Sequence, residues 1–341
     1  MRLVPFAVAG RAGCTEHLGA LVEGDADAGT LVDLTAATRC LLASRSATRE
    51  AADRIARALV PSCVTAYIEG GERTLDTTRE ALAAAVTTGW ATDPNGAQVR
   101  YDVADIARLP AVPEPPLLRD FMGFEDHLRN IYPRLGRDIP PQWYEIPVYY
   151  KGSPSAVGAH GDDIPIPSYA DTLDLEFEIA AVIGPGGVDI AAEKALDHVF
   201  GWTIYDDFSA RTIQAQEMAV GLGPAKGKDF LRGHVLGPCL VTADEMPDPY
   251  SLTLTSRVNG EVWTRTSTAD MHWRFEQMIA HASRGERIRA GEVFGSGTVA
   301  GGSGAEQDRS LAPGDVVELE VDRIGVLRNR IVASERGATH A

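Results

Sequence analysis

Leu173-Asp-Leu-Glu-Phe-Glu-Ile179 alternates apolar and acidic residues, the period of a half-buried β-strand. Leu173, Leu175, Phe177 and Ile179 fall on one face, and Asp174, Glu176 and Glu178 on the other. Carboxylates at i and i+2 project side by side, roughly 7 Å apart at the Cα atoms. Like charges that close repel unless something positive lies between them. Two readings follow: a solvated acidic face, or a site for a hard divalent cation held by oxygen ligands. A second acidic segment, Tyr205-Asp-Asp-Phe208, offers Asp207 or Asp206 to close such a site from a neighbouring strand.

Outward from this stretch, short β-rich segments dominate: 179–183, 199–205, 239–242, 252–258, 293–297 and 316–321. Asn259-Gly260 marks a hairpin turn. Helical patterns cover 118–131, 210–220 and 271–283, and 295–304 reads as a glycine-rich loop between strands. Upstream, Leu109-Pro-Ala-Val-Pro-Glu-Pro-Pro116 leaves little room for helix or central strand and divides the chain. Residues 1–112 read as a small α+β N-terminal domain, with strands at 1–8 and 29–34 and helices at 44–59 and 76–90. Residues 117–335 read as the catalytic domain. The fold class is mainly β with some α.

The chain has 341 residues, 44% of them hydrophobic and 23% charged, enough for two domains. A net charge of −16 argues against nucleic acid, which needs basic patches. Cys14, Cys40, Cys63 and Cys239 are widely spaced and suit neither a disulfide framework nor a zinc site. With no secretory signal and no apolar run of membrane-spanning length, a soluble cytoplasmic protein is expected.

The residues able to do chemistry flank the acidic strand. Asp120 and His127 stand at the start of the 118–131 helical pattern. Arg211 and Gln214, three apart, share a helical face just beyond Asp207. Leu222-Gly-Pro-Ala-Lys-Gly-Lys-Asp-Phe230 lacks a phosphate-loop signature and reads as a loop delivering one lysine, Lys228 in preference to Lys226, to an oxyanion. His160 reads as exposed in a polar loop, and His198, His234, His272 and His281 as structural. Asp174 and Asp206 read as outer partners of the acidic site. Ser296 lacks the context of a nucleophile.

These pieces, with Gly295-Ser-Gly-Thr298, Leu311-Ala-Pro-Gly-Asp-Val-Val-Glu318 and Ile324-Gly-Val-Leu-Arg-Asn-Arg330, resemble the fumarylacetoacetate hydrolase superfamily in their shared order. The resemblance is close over residues 120–332 and nearest the larger members. It implies a mixed β-sandwich roll behind a smaller N-terminal domain, and a homodimer. It implies Mg²⁺, with Ca²⁺ or Mn²⁺ as alternatives, held by Asp120, Glu176, Glu178 and Asp207. His127 takes the place of the general base and Glu318 that of its orienting carboxylate. Arg211, Gln214 and Lys228 match groups that bind substrate oxygens, and Tyr150 a pocket tyrosine. Thr298 borders the substrate.

Met122 and Met218 stand where fumarylacetoacetase has tyrosines, giving a more apolar pocket. Arg134 and Arg137 are the candidates for the lid arginine. Asn130 stands where smaller members place a glutamate, so the base depends on Glu318. The expected reaction is hydrolysis of a C–C bond in an acylpyruvate- or fumarylacetoacetate-like β-diketo acid, by water activated at His127. The alternative is tautomerisation or decarboxylation of an enolisable 2-oxo acid at the same metal site, since stabilising an enolate serves all three. A non-catalytic binding protein that keeps the pocket is the third.

Overall fold

The computed structural model describes residues 1–8, 16–25 and 27–334; Cys14 lies outside them. The strands are β1 (Arg2–Ala7), β2 (Glu16–Gly24), β3 (Gly29–Asp33), β4 (Arg100–Asp102), β5 (Ala107–Arg108), β6 (Leu118–Phe121), β7 (Tyr149–Gly152), β8 (Val157–Gly158) and β9 (Asp163–Pro165). They continue with β10 (Phe177–Ile183), β11 (Val199–Asp207), β12 (His234–Thr242), β13 (Thr253–Val258), β14 (Glu261–Ser267), β15 (Val293–Gly295), β16 (Val316–Val321) and β17 (Gly325–Val332). The helices are α1 (Leu34–Ser44), α2 (Arg49–Leu59), α3 (Val64–Glu69), α4 (Gly71–Thr88), α5 (Glu125–Ile131), α6 (Arg211–Val220) and α7 (Phe275–Ser283).

Two mostly antiparallel sheets result. The larger runs β4-β3-β2-β1-β12-β11-β10-β15-β6-β7, with β5 beside β1 and β8 beside β12; the smaller runs β14-β13-β16-β17-β9. They pack where β12 faces β17: the added Cβ of Gly237 would meet Leu327 at 3.3 Å. One apolar core draws on both sheets and on α7, including Ile204, Val235, Phe275, Leu319 and Leu327.

The central strands explain why the acidic alternation is not a solvated face. Every residue of β10, β11 and β12 is buried, so Glu178 is enclosed as fully as Phe177. Carboxylates in such a place need partners. The 118–131 segment is not one helix: Asp120 lies on β6, paired in parallel with Gly295 of β15, and His127 on α5 after a break at 122–124. The expected 44–59 helix starts later, as α2 at Arg49, because Thr48 caps its start by accepting from the Ala51 amide. Strand β2 and helix α1, absent from the sequence reading, complete the N-terminal region. The expected hairpin forms: Asn259 (φ 53°) and Gly260 (φ 80°) take the left-handed conformations its two-residue turn requires.

The proline-rich segment at 109–116 is irregular, but the N-terminal strands do not form a separate sheet. β1 pairs with β12 through Arg2–Val241 and Leu3–Leu240. Cys40, Cys63 and Cys239 are free thiols. No described helix is long and apolar enough to cross a membrane.

Candidate active site: a buried carboxylate cluster and a His–Glu pair

Three strands bring the acids together. Asp120 lies on β6, Glu178 on β10 and Asp207 ends β11; each offers a carboxylate oxygen within 4.8 Å of the others'. All three are buried. Gly295 makes the convergence possible: a Cβ there would stand 2.6 Å from Asp120 Oδ1 and 2.8 Å from Glu178 Oε2. Only a residue without a side chain lets the two carboxylates approach across the sheet.

Two oxygens of this cluster, Asp120 Oδ1 and Glu178 Oε1, are buried with no hydrogen-bond partner. Burial, then the charge of Asp207, pushes the Asp120 carboxyl well above its ordinary range. Burial, then Asp120, does the same to Glu178. Orphaned hard oxygens in an enclosed acidic group are the donor set a divalent cation satisfies, so these residues fit one.

Glu176 stands beside this group but outside it. Its Oε2 accepts from Lys228 Nζ at 2.6 Å, and its Oε1 is 2.7 Å from Arg211 NH1. Burial opposes its ionisation, yet Arg211, Lys228 and a charge on His127 outweigh that and hold Glu176 at about 2. Of the four expected ligands, Asp120, Glu178 and Asp207 lie together, while Glu176 is engaged by Lys228 and Arg211. Lys228 also differs from expectation. Nζ directs its three N–H groups to Glu176 Oε2, Asp207 Oδ2 (2.5 Å) and the Asp207 carbonyl (3.1 Å). It is fully buried and neutralises two carboxylates.

Arg211, at the start of α6, donates to Asp174 Oδ2 through Nε (2.8 Å) and NH2 (2.5 Å), and to Gln214 Oε1 (3.0 Å). That last bond fixes the Gln214 amide with its NH₂ as the donating end. Asp174 also accepts from the amides of Gly304 (2.7 Å) and Ala305 (3.1 Å). Asp206 accepts from the Glu176 amide, 3.0 Å away. Tyr150, opposite Asp120 on β7, donates its hydroxyl to Asp207 Oδ2 at 2.6 Å, so it touches the acidic cluster itself.

His127 does not meet Glu318. Glu318 lies on β16 in the smaller sheet, where it pairs with Arg328 at 2.8 Å. The carboxylate beside His127 is Glu306, whose Oε2 is 3.0 Å from Nδ1, although the approach is off the line of a good hydrogen bond. Glu306 sits in a short 3-10 turn, Gly304–Gln307, closed by a capping box with Ser303. Its Oε1 accepts from Asn130 (2.8 Å) and the Gly301 amide (2.8 Å), and its Oε2 from the Ser303 amide (3.1 Å). Burial would raise the Glu306 carboxyl, but His127, Asn130 and Gly301 together bring it below its ordinary value. Asn130 thus supports the carboxylate instead of replacing it. The sequence signal is Ser303-x-x-Glu306, a helix-start pattern that runs past the end of the glycine-rich stretch.

Of the remaining expected residues, Met122 directly follows β6 and accepts at its carbonyl from Trp143 Nε1 (2.9 Å). Thr298 is buried, and Met218 is 45% exposed on α6. Arg134 pairs with Asp308, just beyond the Glu306 turn. His160 is buried, not exposed: Nε2 meets Asp27 at 3.1 Å and Nδ1 accepts from the Arg328 amide at 3.3 Å. A cleft of about 620 Å³ lies elsewhere, lined by Ile68, Arg79, Phe200 and Arg287. Its Arg79 is paired with Asp244, and it contains none of the site residues.

Residues 117–332 match the model of the fumarylacetoacetate (FAA) hydrolase C-terminal domain. The chain belongs to the fumarylacetoacetate hydrolase family. Among relatives of this family, oxaloacetate tautomerase YisK of Bacillus subtilis is 32% identical over 248 residues, spanning 71% of this chain and 79% of that protein. Two solved family structures share the fold. The fumarylacetoacetate hydrolase of Exiguobacterium antarcticum superposes with a TM-score of 0.68 at 24% identity, covering 98% of this chain and 99% of that one. Maleylpyruvate hydrolase of Sphingobium sp. SYK-6, solved with manganese(II) and pyruvate, gives 0.69 at 22% identity, covering 98% and 100%. The mixed fold with two mostly antiparallel sheets is thus shared with these structures, and the Asp120–Glu178–Asp207 group is one that could hold a metal ion.

Proposed function

We propose that the protein is a divalent-cation-dependent keto–enol tautomerase of a short, enolisable 2-oxo acid of the oxaloacetate class. The observation that carries this reading is the His127–Glu306 pair, whose imidazole is felt by Glu176, the residue that Lys228 joins to Asp207 of the buried acidic cluster. The 32%-identical oxaloacetate tautomerase supports the reaction class.

A cation held by Asp120, Glu178 and Asp207 would supply Lewis acidity to the 2-oxo carbonyl and so acidify the neighbouring C–H. Mg²⁺ suits the oxygen donors, as do Mn²⁺ and Ca²⁺. The protein's residues do the rest. Glu306 faces Nδ1 of His127 and so fixes the tautomer whose Nε2 is basic. His127 takes the proton from the carbon beside the carbonyl and returns it to oxygen; the reverse transfer restores the ketone, and no atom is gained or lost. The Gln214 amide donates to a substrate carboxylate, with Arg211 holding that amide in place. Lys228 keeps Glu176 and Asp207 ionised and apart.

Hydrolysis of a C–C bond in a β-diketo acid is the second reading. It is favoured by the same pair, because an imidazole backed by a carboxylate can equally take a proton from water. Incubation with oxaloacetate and with acylpyruvates decides between them. Faster enol–keto exchange with unchanged substrate mass supports tautomerisation. Two shorter acids from the acylpyruvate support hydrolysis, and CO₂ release supports decarboxylation. The homodimer implied by the resemblance belongs to the same proposal; it would cover Met218, Val220 and Leu222, which are exposed at the end of α6, and sedimentation velocity tests it.

A further inference from the structure

We infer that His234, backed by Asp229, is the positioning residue that fixes Asp207 as a cation ligand and thereby sets the affinity of the site for a divalent ion. This rests on the cation site proposed above and concerns residues outside its ligand set. Asp207 and His234 are cross-strand neighbours on β11 and β12. Nδ1 of His234 is 3.0 Å from Asp207 Oδ1 and 2.7 Å from the Tyr205 hydroxyl, while Nε2 is 2.9 Å from Asp229 Oδ1. The imidazole and Asp207 side chains are completely enclosed, whereas Asp229 is 24% exposed. A carboxylate–imidazole–carboxylate chain thus runs from the acidic cluster outward.

The packing has been cleared for this chain. Strand β7 passes the ring at Gly152, where an added Cβ would lie 3.0 Å from both Cε1 and Nε2. The next residue, Ser153, donates its amide to Asp229 Oδ1 at 2.6 Å and anchors the outer end. At the inner end Asp207 is gripped on both oxygens: Oδ1 by His234, and Oδ2 by Lys228 (2.5 Å) and Tyr150 (2.6 Å). Without the imidazole, Oδ1 of a fully buried carboxylate loses its partner, and only the Oδ2 contacts to Lys228 and Tyr150 are left to hold its angle towards Asp120 and Glu178.

Two effects of the ring on a cation oppose each other. A proton on each nitrogen, which the two flanking carboxylates favour, makes the ring positive, and a positive ring repels a cation. Asp229 lies directly behind it and offsets that field, so the orienting effect decides the sign. Partners that orient metal ligands typically change affinity by about 10- to 100-fold.

The test is Mn²⁺ binding to the full chain, followed by electron paramagnetic resonance or calorimetry, with folding verified by circular dichroism. The wild type is compared with His234→Ala, His234→Gln, Asp229→Ala and the Asp229→Ala/His234→Ala double variant. We expect His234→Ala to weaken binding about 10- to 100-fold and His234→Gln, which can still donate once to Asp207, to weaken it less. Asp229→Ala should also weaken binding yet add nothing to His234→Ala, because the two act as one unit. If His234→Ala does not fold, His234→Gln and Asp229→Ala carry the comparison. Wild-type affinity in the folded variants, or tighter binding, overturns the inference and leaves the cation site standing. A wild type that binds no Mn²⁺ overturns both.

Discussion

Glu306 Oε2 lies 3.0 Å from Nδ1 of His127, while Glu306 Oε1 accepts from Asn130, three residues after His127 on the same helix. One carboxylate therefore holds α5 at two points and the imidazole at one of them. Glu306→Gln keeps the shape and removes the charge that favours the basic Nε2 tautomer. The expected loss in kcat/KM is about 10²- to 10⁴-fold, the usual contribution of a positioned acid–base group, with Mn²⁺ affinity unchanged. Tautomerisation kinetics beside a metal titration check it; wild-type turnover would remove Glu306 from the mechanism.

Glu318→Gln is the matching control. Its partner Arg328 is 45% exposed and the pair lies in the smaller sheet, so stability should change by at most about 1 kcal/mol. Activity should stay within twofold. A collapse in turnover would restore Glu318 as the orienting group.

Asp120→Asn separates binding from folding. Asp120 and Glu178 repel each other in the cation-free protein, so removing one charge should leave the apo melting temperature unchanged or higher. The wild type should gain about 2.7 kcal/mol when Mn²⁺ is at 100 times its Kd, and the variant should lose that gain. Thermal unfolding with and without Mn²⁺ measures both. An equal metal-induced shift in the variant would exclude Asp120 as a ligand.

His160 makes folding sensitive to acid. Burial, reinforced by Arg108 and opposed by Asp27, lowers its pKa from 6.5 to about 4. Between those values the unfolded chain binds the proton and the folded one does not, so stability rises with pH across the window and falls on acidification from 6.5 towards 4. In His160→Gln the slope of urea stability against pH should flatten there. An unchanged slope would assign the acid sensitivity to other groups.

Local pattern made many strands readable, because period and turn chemistry act within a few residues; β10, β11, β13 and β16 all stand near where the residues imply. Asp120 was misplaced on a helix because four residues of strand cannot be told by periodicity from the helix that follows them. The acidic pattern of 174–178 was legible, but not the ion pairs that Lys228 and Arg211 make with Glu176, because those partners lie 35 or more positions later. Glu306 was overlooked since its partners, His127 and Asn130, lie more than 170 positions earlier. His160 was misjudged for the same kind of reason: its loop looks polar, but Asp27 and β17 close over it.

The hydrogen bonds between β1 and β12 have a practical consequence for anyone trimming the chain. Deleting residues 1–112 would not detach an appendage. It would strip the Leu240–Val241 end of β12 of its neighbour and turn that stretch of an interior strand into a raw edge with bare amides and carbonyls. A fragment made that way should self-associate along the exposed rim, and expression trials are better begun at the first residue.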